Sequence, residues 1–171
     1  MRGKAFRLRP DILPGGMERT LRPGESSNGV LGGHLGASAE EAGLVMRRPP
    51  RTAYTVPALE ATEFASQQGL FQPFHHAVYR AYWERGEDIE QVSVLQEAAR
   101  EVGLDPDALA RSLEEGQYRA VVEEQFQEAL TLGIHAIPSF VVGGVLFSGA
   151  HPYELFRRVA LHALEGRALT P

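Results

Sequence analysis

Apolar residues recur through the middle of the chain at the spacing of amphipathic helices. Phe71, Phe74, His75, Val78 and Tyr82 fall at i, i+3, i+4, i+7 and i+11, which places them on one face of a helix. Similar stripes predict further helices at about 53–68, 91–102 and 118–130, most of them followed by glycine. Asp105-Pro106, an N-cap followed by proline at the first helical position, predicts another helix at about 105–115. The pattern therefore predicts four or five consecutive helices.

Both ends of the chain show patterns typical of strands. Residues 4–9 alternate apolar and polar side chains before Pro10, which predicts a short strand. Residues 139–142 and 145–148 flank Gly143-Gly144, which predicts a hairpin with a two-residue turn. An amphipathic helix follows from Pro152. The chain is therefore expected to belong to the α/β class.

The segment that joins the first predicted strand to the helices is rich in glycine and proline. Residues 11–36 are predicted to be loop, with a helical turn at 37–42 capped by Ser38. Gly29–Gly36 looks like a phosphate loop but has no preceding strand and no Lys-Ser/Thr pair, so a flexible loop is expected.

Composition restricts the classes of function. The chain has 171 residues, of which 43% are hydrophobic and 23% charged, so one folded domain is expected. A net charge of −5 argues against partners held by bulk positive charge, namely nucleic acid or an anionic membrane. No stretch is apolar enough to predict a membrane span, and a cytoplasmic location is expected.

Candidate catalytic and metal-binding residues are few. The chain contains no cysteine, which excludes a disulfide, a thiolate metal site and a cysteine nucleophile within it. No histidine and carboxylate set has metal-site spacing, so no metal is expected. His75 is predicted to lie in the core. A Ser-His-Asp triad can be drawn from Ser139 or Ser148 with His135 or His151, but nothing in the sequence fixes those contacts.

The most specific motif is Gly-Ile-His-Ala-Ile-Pro-Ser-Phe-Val-Val-Gly-Gly at 133–144, followed by Ser-Gly-Ala at 148–150. It resembles the C-terminal half of the DsbA-like family, in particular the branch of FrnE-type proteins and 2-hydroxychromene-2-carboxylate isomerases. The resemblance implies a thioredoxin-like sheet with an inserted all-helical subdomain. It assigns 1–52 and 131–171 to the thioredoxin-like part and 53–130 to the insertion.

The resemblance also implies where a substrate binds. In the family, the proline that enters the hairpin is cis, so the Ile137–Pro138 bond is expected to be cis. The backbone of the preceding residue pairs with an extended substrate, which assigns that role to Ile137. His135 lies beside this point, where a histidine of near-neutral pKa can relay protons. Ile137, Pro138 and His135 are therefore the predicted substrate-binding residues.

The family's reactive segment has no counterpart in this sequence. A first strand and a helix bearing Cys-x-x-Cys, or a serine in the glutathione-dependent branch, precede the position that residues 4–9 occupy. We therefore expect an N-terminally truncated fold with no catalytic residue, or a gene start placed too far downstream.

Three functions follow from the resemblance. The chain is expected to be a DsbA-family thiol–disulfide oxidoreductase-like protein, inactive in disulfide exchange. The alternatives are a relative of the glutathione-dependent isomerases and transferases, and a non-catalytic module for peptides or thiols. No cofactor is required, and glutathione is left open as a ligand. An open sheet edge also predicts a homodimer.

Overall fold

The computed structural model describes residues 2–20, 29 and 31–165. These residues form seven helices and two sheets of two strands each, in a mixed α/β arrangement. The chain divides into two compact units, Met1–Phe126 and Gln127–Pro171. The elements in chain order are β1 Met17–Glu18, α1 Gly33–Glu41, β2 Arg51–Thr52, α2 Val56–Gln67, α3 Phe71–Trp83, α4 Val92–Glu101, α5 Pro106–Glu114, α6 Arg119–Thr131, β3 Ser139–Val142, β4 Val145–Ser148 and α7 Tyr153–Leu164.

The first unit has its core among α2, α3, α4 and α5. The five helices predicted between residues 53 and 130 are all present, with shifts of a few residues at their ends. The face of α3 that enters the core is centred on Phe74 and Val78, as predicted, whereas His75 is only half-buried. Fully buried side chains from different helices meet in this core, namely Phe74, Leu95, Ala98 and Leu109.

The start of α5 follows its sequence closely. Asp105 is the N-cap, and its side chain accepts hydrogen bonds from the backbone N–H groups of Asp107 at 2.9 Å and Ala108 at 3.0 Å. Pro106 occupies the first turn, where a missing N–H costs nothing. Both assignments agree with the sequence-based prediction.

The strand predicted at 4–9 is not formed. Ala5 is buried, and its N–H donates to the Gln125 side-chain oxygen at 2.5 Å instead of to a strand. The Gln125 amide nitrogen in turn donates to the Glu63 carboxylate at 2.9 Å. The Ala5 N–H is therefore paired with a side chain and not with a neighbouring strand. Phe6 packs against Phe126, with ring centroids 5.5 Å apart. The alternation in this segment reflects packing against α6.

The loop predicted at 11–36 is more structured than expected. Met17–Glu18 pairs antiparallel with Arg51–Thr52, and α1 begins at Gly33, four residues before the predicted turn. The flexible loop predicted for Gly29–Gly36 is therefore wrong for 33–36. Ser38 lies inside α1, whose N-cap is Gly32. Residues 21–28 and 30, which also belong to this predicted loop, lie outside the described residues.

The second unit contains the predicted hairpin and the C-terminal helix. β3 and β4 pair antiparallel around Gly143 and Gly144, both of which have positive φ angles of 57° and 82°. Phe140 and Phe147 stack across the hairpin with centroids 5.3 Å apart, and Phe156 of α7 meets both rings edge-on. Three aromatic rings thus hold α7 on one face of the hairpin.

None of the helices in the described part of the chain is long and apolar enough to cross a membrane.

Candidate functional site

The loop between α6 and β3 carries the predicted binding residues. Gly133, with a φ of 75°, lets the chain turn away from α6, and the Ile134 N–H donates back to the Ala129 carbonyl at 2.9 Å. The Ile137–Pro138 peptide bond is cis, the geometry that the resemblance implied. Ile137 is an apolar side chain with half of its surface exposed. The loop therefore presents Ile137 to solvent.

The carbonyl groups on either side of Ile137 are engaged within the loop and hairpin. The Ala136 carbonyl accepts a hydrogen bond from the Ser139 hydroxyl at 2.6 Å, and the Pro138 carbonyl accepts one from the Gly149 N–H at 2.8 Å. The Ile137 N–H and carbonyl have no hydrogen-bond partner within 2–20, 29 and 31–165. The backbone N–H and carbonyl of this one residue are therefore free to pair with another molecule.

The hairpin register leaves further backbone groups unpaired beside Ile137. Because Gly149 donates to Pro138, the hydrogen-bonded pairs alternate as 138/149, 140/147 and 142/145. The backbone groups of Ser139 and Val141 therefore point away from β4, and no third strand joins this sheet among the described residues. We call the backbone groups of Ile137, Ser139 and Val141 the β3 edge.

One face of the hairpin is also open. Ser139, Val141, Leu146 and Ser148 lie opposite the aromatic rings that contact α7, and we call them the open face. Val141 is 51% exposed and Leu146 39% exposed. Residues 129–153 contain no Asp, Glu, Lys or Arg. The surface next to the β3 edge is thus apolar and hydroxyl-bearing, without fixed charge.

The histidines near this surface do not build a catalytic triad. His135 is exposed and has no hydrogen-bond partner among the described residues. The His151 Nε2 atom lies 2.9 Å from the Ser148 backbone carbonyl, and its ring packs against Phe147. The hydroxyl of Ser139 contacts Ser148 instead of a histidine. His151 does not cap α7, whose N-cap is Pro152.

The histidine that the sequence predicts to lie in the core is on α3 and only half-buried. The His75 ring stacks on Phe71 with centroids 5.3 Å apart and meets the tilted ring of Tyr79 at 4.5 Å. Burial, followed by the charge of His76, lowers the pKa of His75. In the described ranges, no three His, Asp or Glu side chains are grouped in a way that could hold a metal ion.

Sequence reasoning missed the hydroxyl pair of Ser139 and Ser148. The signal was present, because two serines directly opposite each other across a hairpin have side chains close enough to bond.

Residues 1–159 match the DSBA-like thioredoxin domain family. The chain belongs to this family. Among solved structures, it resembles a probable DsbA oxidoreductase from Streptomyces coelicolor, with a TM-score of 0.68 and 26% identity over 80% of this chain and 60% of that one. The fold also resembles that of a candidate protein disulfide isomerase from Nitrosomonas europaea, with a TM-score of 0.64 and 19% identity over 79% of this chain and 72% of the other.

A curated relative of this DsbA-like chain is the uncharacterized protein YwbO of Bacillus subtilis. It is 27% identical over 106 residues, which make up 61% of this chain and 53% of YwbO. The chain thus spans about half the length of this relative. Family membership and the thioredoxin-like fold agree with the sequence-based predictions, whereas the FrnE-type branch and the cytoplasmic location stay predictions.

Proposed function

We propose that this DsbA-like chain binds extended polypeptide along the β3 edge and does not itself exchange disulfides. The observation that carries the proposal is the pair of free backbone groups of Ile137, its N–H and its carbonyl, which lie between two engaged carbonyls in a chain without cysteine. A strand that adds to a sheet edge forms hydrogen bonds with the unpaired backbone groups of that edge, and its own backbone groups are paired as well. Ile137 and Pro138 form the binding point, with His135 beside them.

The chemistry of the family cannot proceed on this polypeptide alone. Disulfide exchange needs a thiolate that attacks a disulfide sulfur and forms a mixed disulfide. The chain has no thiol to supply that nucleophile or to carry the intermediate. In an insulin-reduction assay with dithiothreitol, we expect the chain to add nothing to the uncatalysed rate. Catalysis by a pure preparation of this polypeptide would refute that half of the proposal.

A pair of proline variants tests binding at the edge. Val141→Pro deletes an N–H that points away from β4, while the hydrogen bonds of the hairpin remain. Leu146→Pro is the matched control, since it deletes the outward N–H of the facing residue on the other strand. Calorimetric titration with an unfolded peptide should show binding for the wild type and Leu146→Pro, and its loss for Val141→Pro.

The same titration with glutathione separates a thiol tripeptide from a longer chain as the ligand. If neither peptide nor glutathione binds the wild-type chain, the proposed function is wrong. If both proline variants lose binding equally, the ligand does not use the β3 edge.

The proposed homodimer would use this edge as well. Light scattering of the wild type and of both proline variants shows whether a second copy of the chain or a separate ligand pairs with this edge. A dimer that Val141→Pro disrupts and Leu146→Pro retains assigns the edge to a second copy of the chain. A monomeric mass at every concentration contradicts the dimer and leaves the edge to a ligand.

A further inference from the structure

Two serine hydroxyls and one carbonyl form a continuous chain on the open face. The Ser139 Oγ atom lies 2.6 Å from the Ala136 carbonyl oxygen and 2.6 Å from the Ser148 Oγ atom. Ser139 and Ser148 face each other in a pair that lacks backbone hydrogen bonds, where opposing side chains are closest. The contact therefore follows directly from the hairpin register.

The direction of these hydrogen bonds is fixed by elementary valence. A carbonyl oxygen only accepts, so the single hydroxyl proton of Ser139 is donated to Ala136. In its contact with Ser148, the Ser139 oxygen must therefore be the acceptor, and the Ser148 hydroxyl donates its proton to it. The relay runs from Ser148 through Ser139 to Ala136, and the Ser148 oxygen is left with acceptor capacity only.

The far end of the relay is also held in place. The Ser148 carbonyl contacts the His151 ring at 2.9 Å, and the next residue, Gly149, donates its N–H to Pro138. The relay thus connects the loop on one side of Ile137 to Ser148 at the end of β4, and the residue that follows this strand, Gly149, holds Pro138 on the other side.

We propose that Ser139 and Ser148 are positioning residues that hold the backbone N–H and carbonyl of Ile137 in place for their ligand. This inference rests on the proposed function of the β3 edge. With the Ala136 and Pro138 carbonyls both engaged, the loop offers the Ile137 groups in one orientation. A preorganised edge loses less conformational entropy when an added strand binds. Because Ser148 lies at the surface and Ser139 is only half-buried, their hydroxyls contribute little to a buried core.

Three variants test the relay. Ser139→Ala removes the bond to Ala136 and should weaken peptide binding about fivefold, the value of one net hydrogen bond of about 1 kcal/mol. Ser148→Ala removes only the outer bond, and we expect about a twofold loss. Ser139→Thr keeps the hydroxyl on a residue that strands accept, and it should restore affinity. Ser93→Ala, at an exposed position in α4, is the control that should change nothing.

The double variant and a spectroscopic signal separate positioning from general stability. If both serines act through Ala136, Ser139→Ala with Ser148→Ala should bind peptide no more weakly than Ser139→Ala alone. The NMR carbonyl-carbon shift of Ala136 should move upfield in Ser139→Ala and return in Ser139→Thr, while the thermal midpoints stay close to that of the wild type.

The outcomes distinguish this inference from the proposed function. An unchanged Ala136 signal in Ser139→Ala means that the relay is not formed, and the inference fails. A shifted signal with unchanged affinity means that the relay does not position the edge, and the inference fails while peptide binding stands. If the wild type binds no peptide, the proposed function fails first and the positioning role fails with it.

Discussion

The two compact units differ in where they place their apolar side chains. The main cluster of buried hydrophobic residues in the first unit spans Ala53 to Leu109 in sequence, and its members pack against one another. In the described part of the second unit, Val159 is the only buried hydrophobic residue, and the aromatic trio between the hairpin and α7 is only half-buried. The helices therefore supply most of the buried apolar surface, whereas the hairpin keeps apolar and backbone groups available for binding.

The two regions also differ in charge. The first unit carries surface ion pairs such as Arg80–Glu101 at 2.6 Å and Arg85–Glu101 at 3.5 Å. The stretch from the end of α6 to the first residue of α7, 129–153, which includes the hairpin, carries no Asp, Glu, Lys or Arg. Native sheets usually protect an edge with charges. The absence of charged residues beside this edge agrees with the proposal that another strand pairs with it.

The largest expected effect is the loss of a core side chain in the helical unit. Phe74 has no exposed surface, so Phe74→Ala should destabilise the protein by about 3–5 kcal/mol through lost burial and the cavity that remains. Tyr79→Ala, half-exposed on the same helix, should cost about 1 kcal/mol or less. Urea unfolding followed by circular dichroism measures both. Similar costs for the two variants would contradict the assignment of the core to this helix face.

A smaller and more local effect is expected in the hairpin unit. Phe156→Ala removes the edge-on contacts at 4.8 Å and 5.3 Å, and should destabilise the packing of α7 by about 2 kcal/mol. Hydrogen exchange should then accelerate in β3 and β4 but not in α2–α5. Tyr153→Ala, 74% exposed on α7, is the control. Acceleration throughout the helices would show that the two units unfold together.

The smallest effect concerns pH. Because burial lowers the pKa of His75 in the folded chain, the unfolded chain binds more protons just below the ordinary value of 6.5. Stability should therefore fall as pH decreases through this value, until the folded chain binds the proton as well. His75→Phe keeps the aromatic stack and should flatten the dependence, whereas the exposed control His34→Gln should not. Urea midpoints at about pH 7.5 and about pH 5.5 bracket the transition.

The elements that could be predicted from sequence are those whose signals are local. The hairpin is read correctly because Gly143-Gly144 meets the demands of its turn, and α5 because Asp105-Pro106 supplies both cap and first turn. The helices of the core follow from their apolar spacing. In each case the residues that specify the element are its own.

The errors occur where a distant partner decides the structure. Residues 4–9 have the alternation of a strand, but the Ala5 N–H is satisfied by a glutamine that is 120 positions away in sequence. Gln125 and Glu63 read as surface polar residues on separate helices, and only tertiary packing brings them together in a buried contact. Gly33 and Gly36 argue against α1, yet propensity is a weak prior that context overrides.

The candidate site combines local and distant determinants in the same way. The family resemblance assigns Ile137 and Pro138 to the site, and the motif that carries this resemblance is contiguous in sequence; their role in binding stays a prediction. The relay from Ser148 to Ala136 depends on cross-strand register and on which hydroxyl donates, neither of which the motif specifies.

The uncharged stretch at 129–153 has a consequence for how affinity responds to solution conditions. Dissolved ions screen interactions between charges and leave hydrogen bonds and apolar contacts largely untouched. A neutral ligand held here should keep its affinity from dilute buffer to physiological ionic strength, even though the chain as a whole carries a net charge of −5. The strength of the contact is then decided by shape and backbone pairing alone.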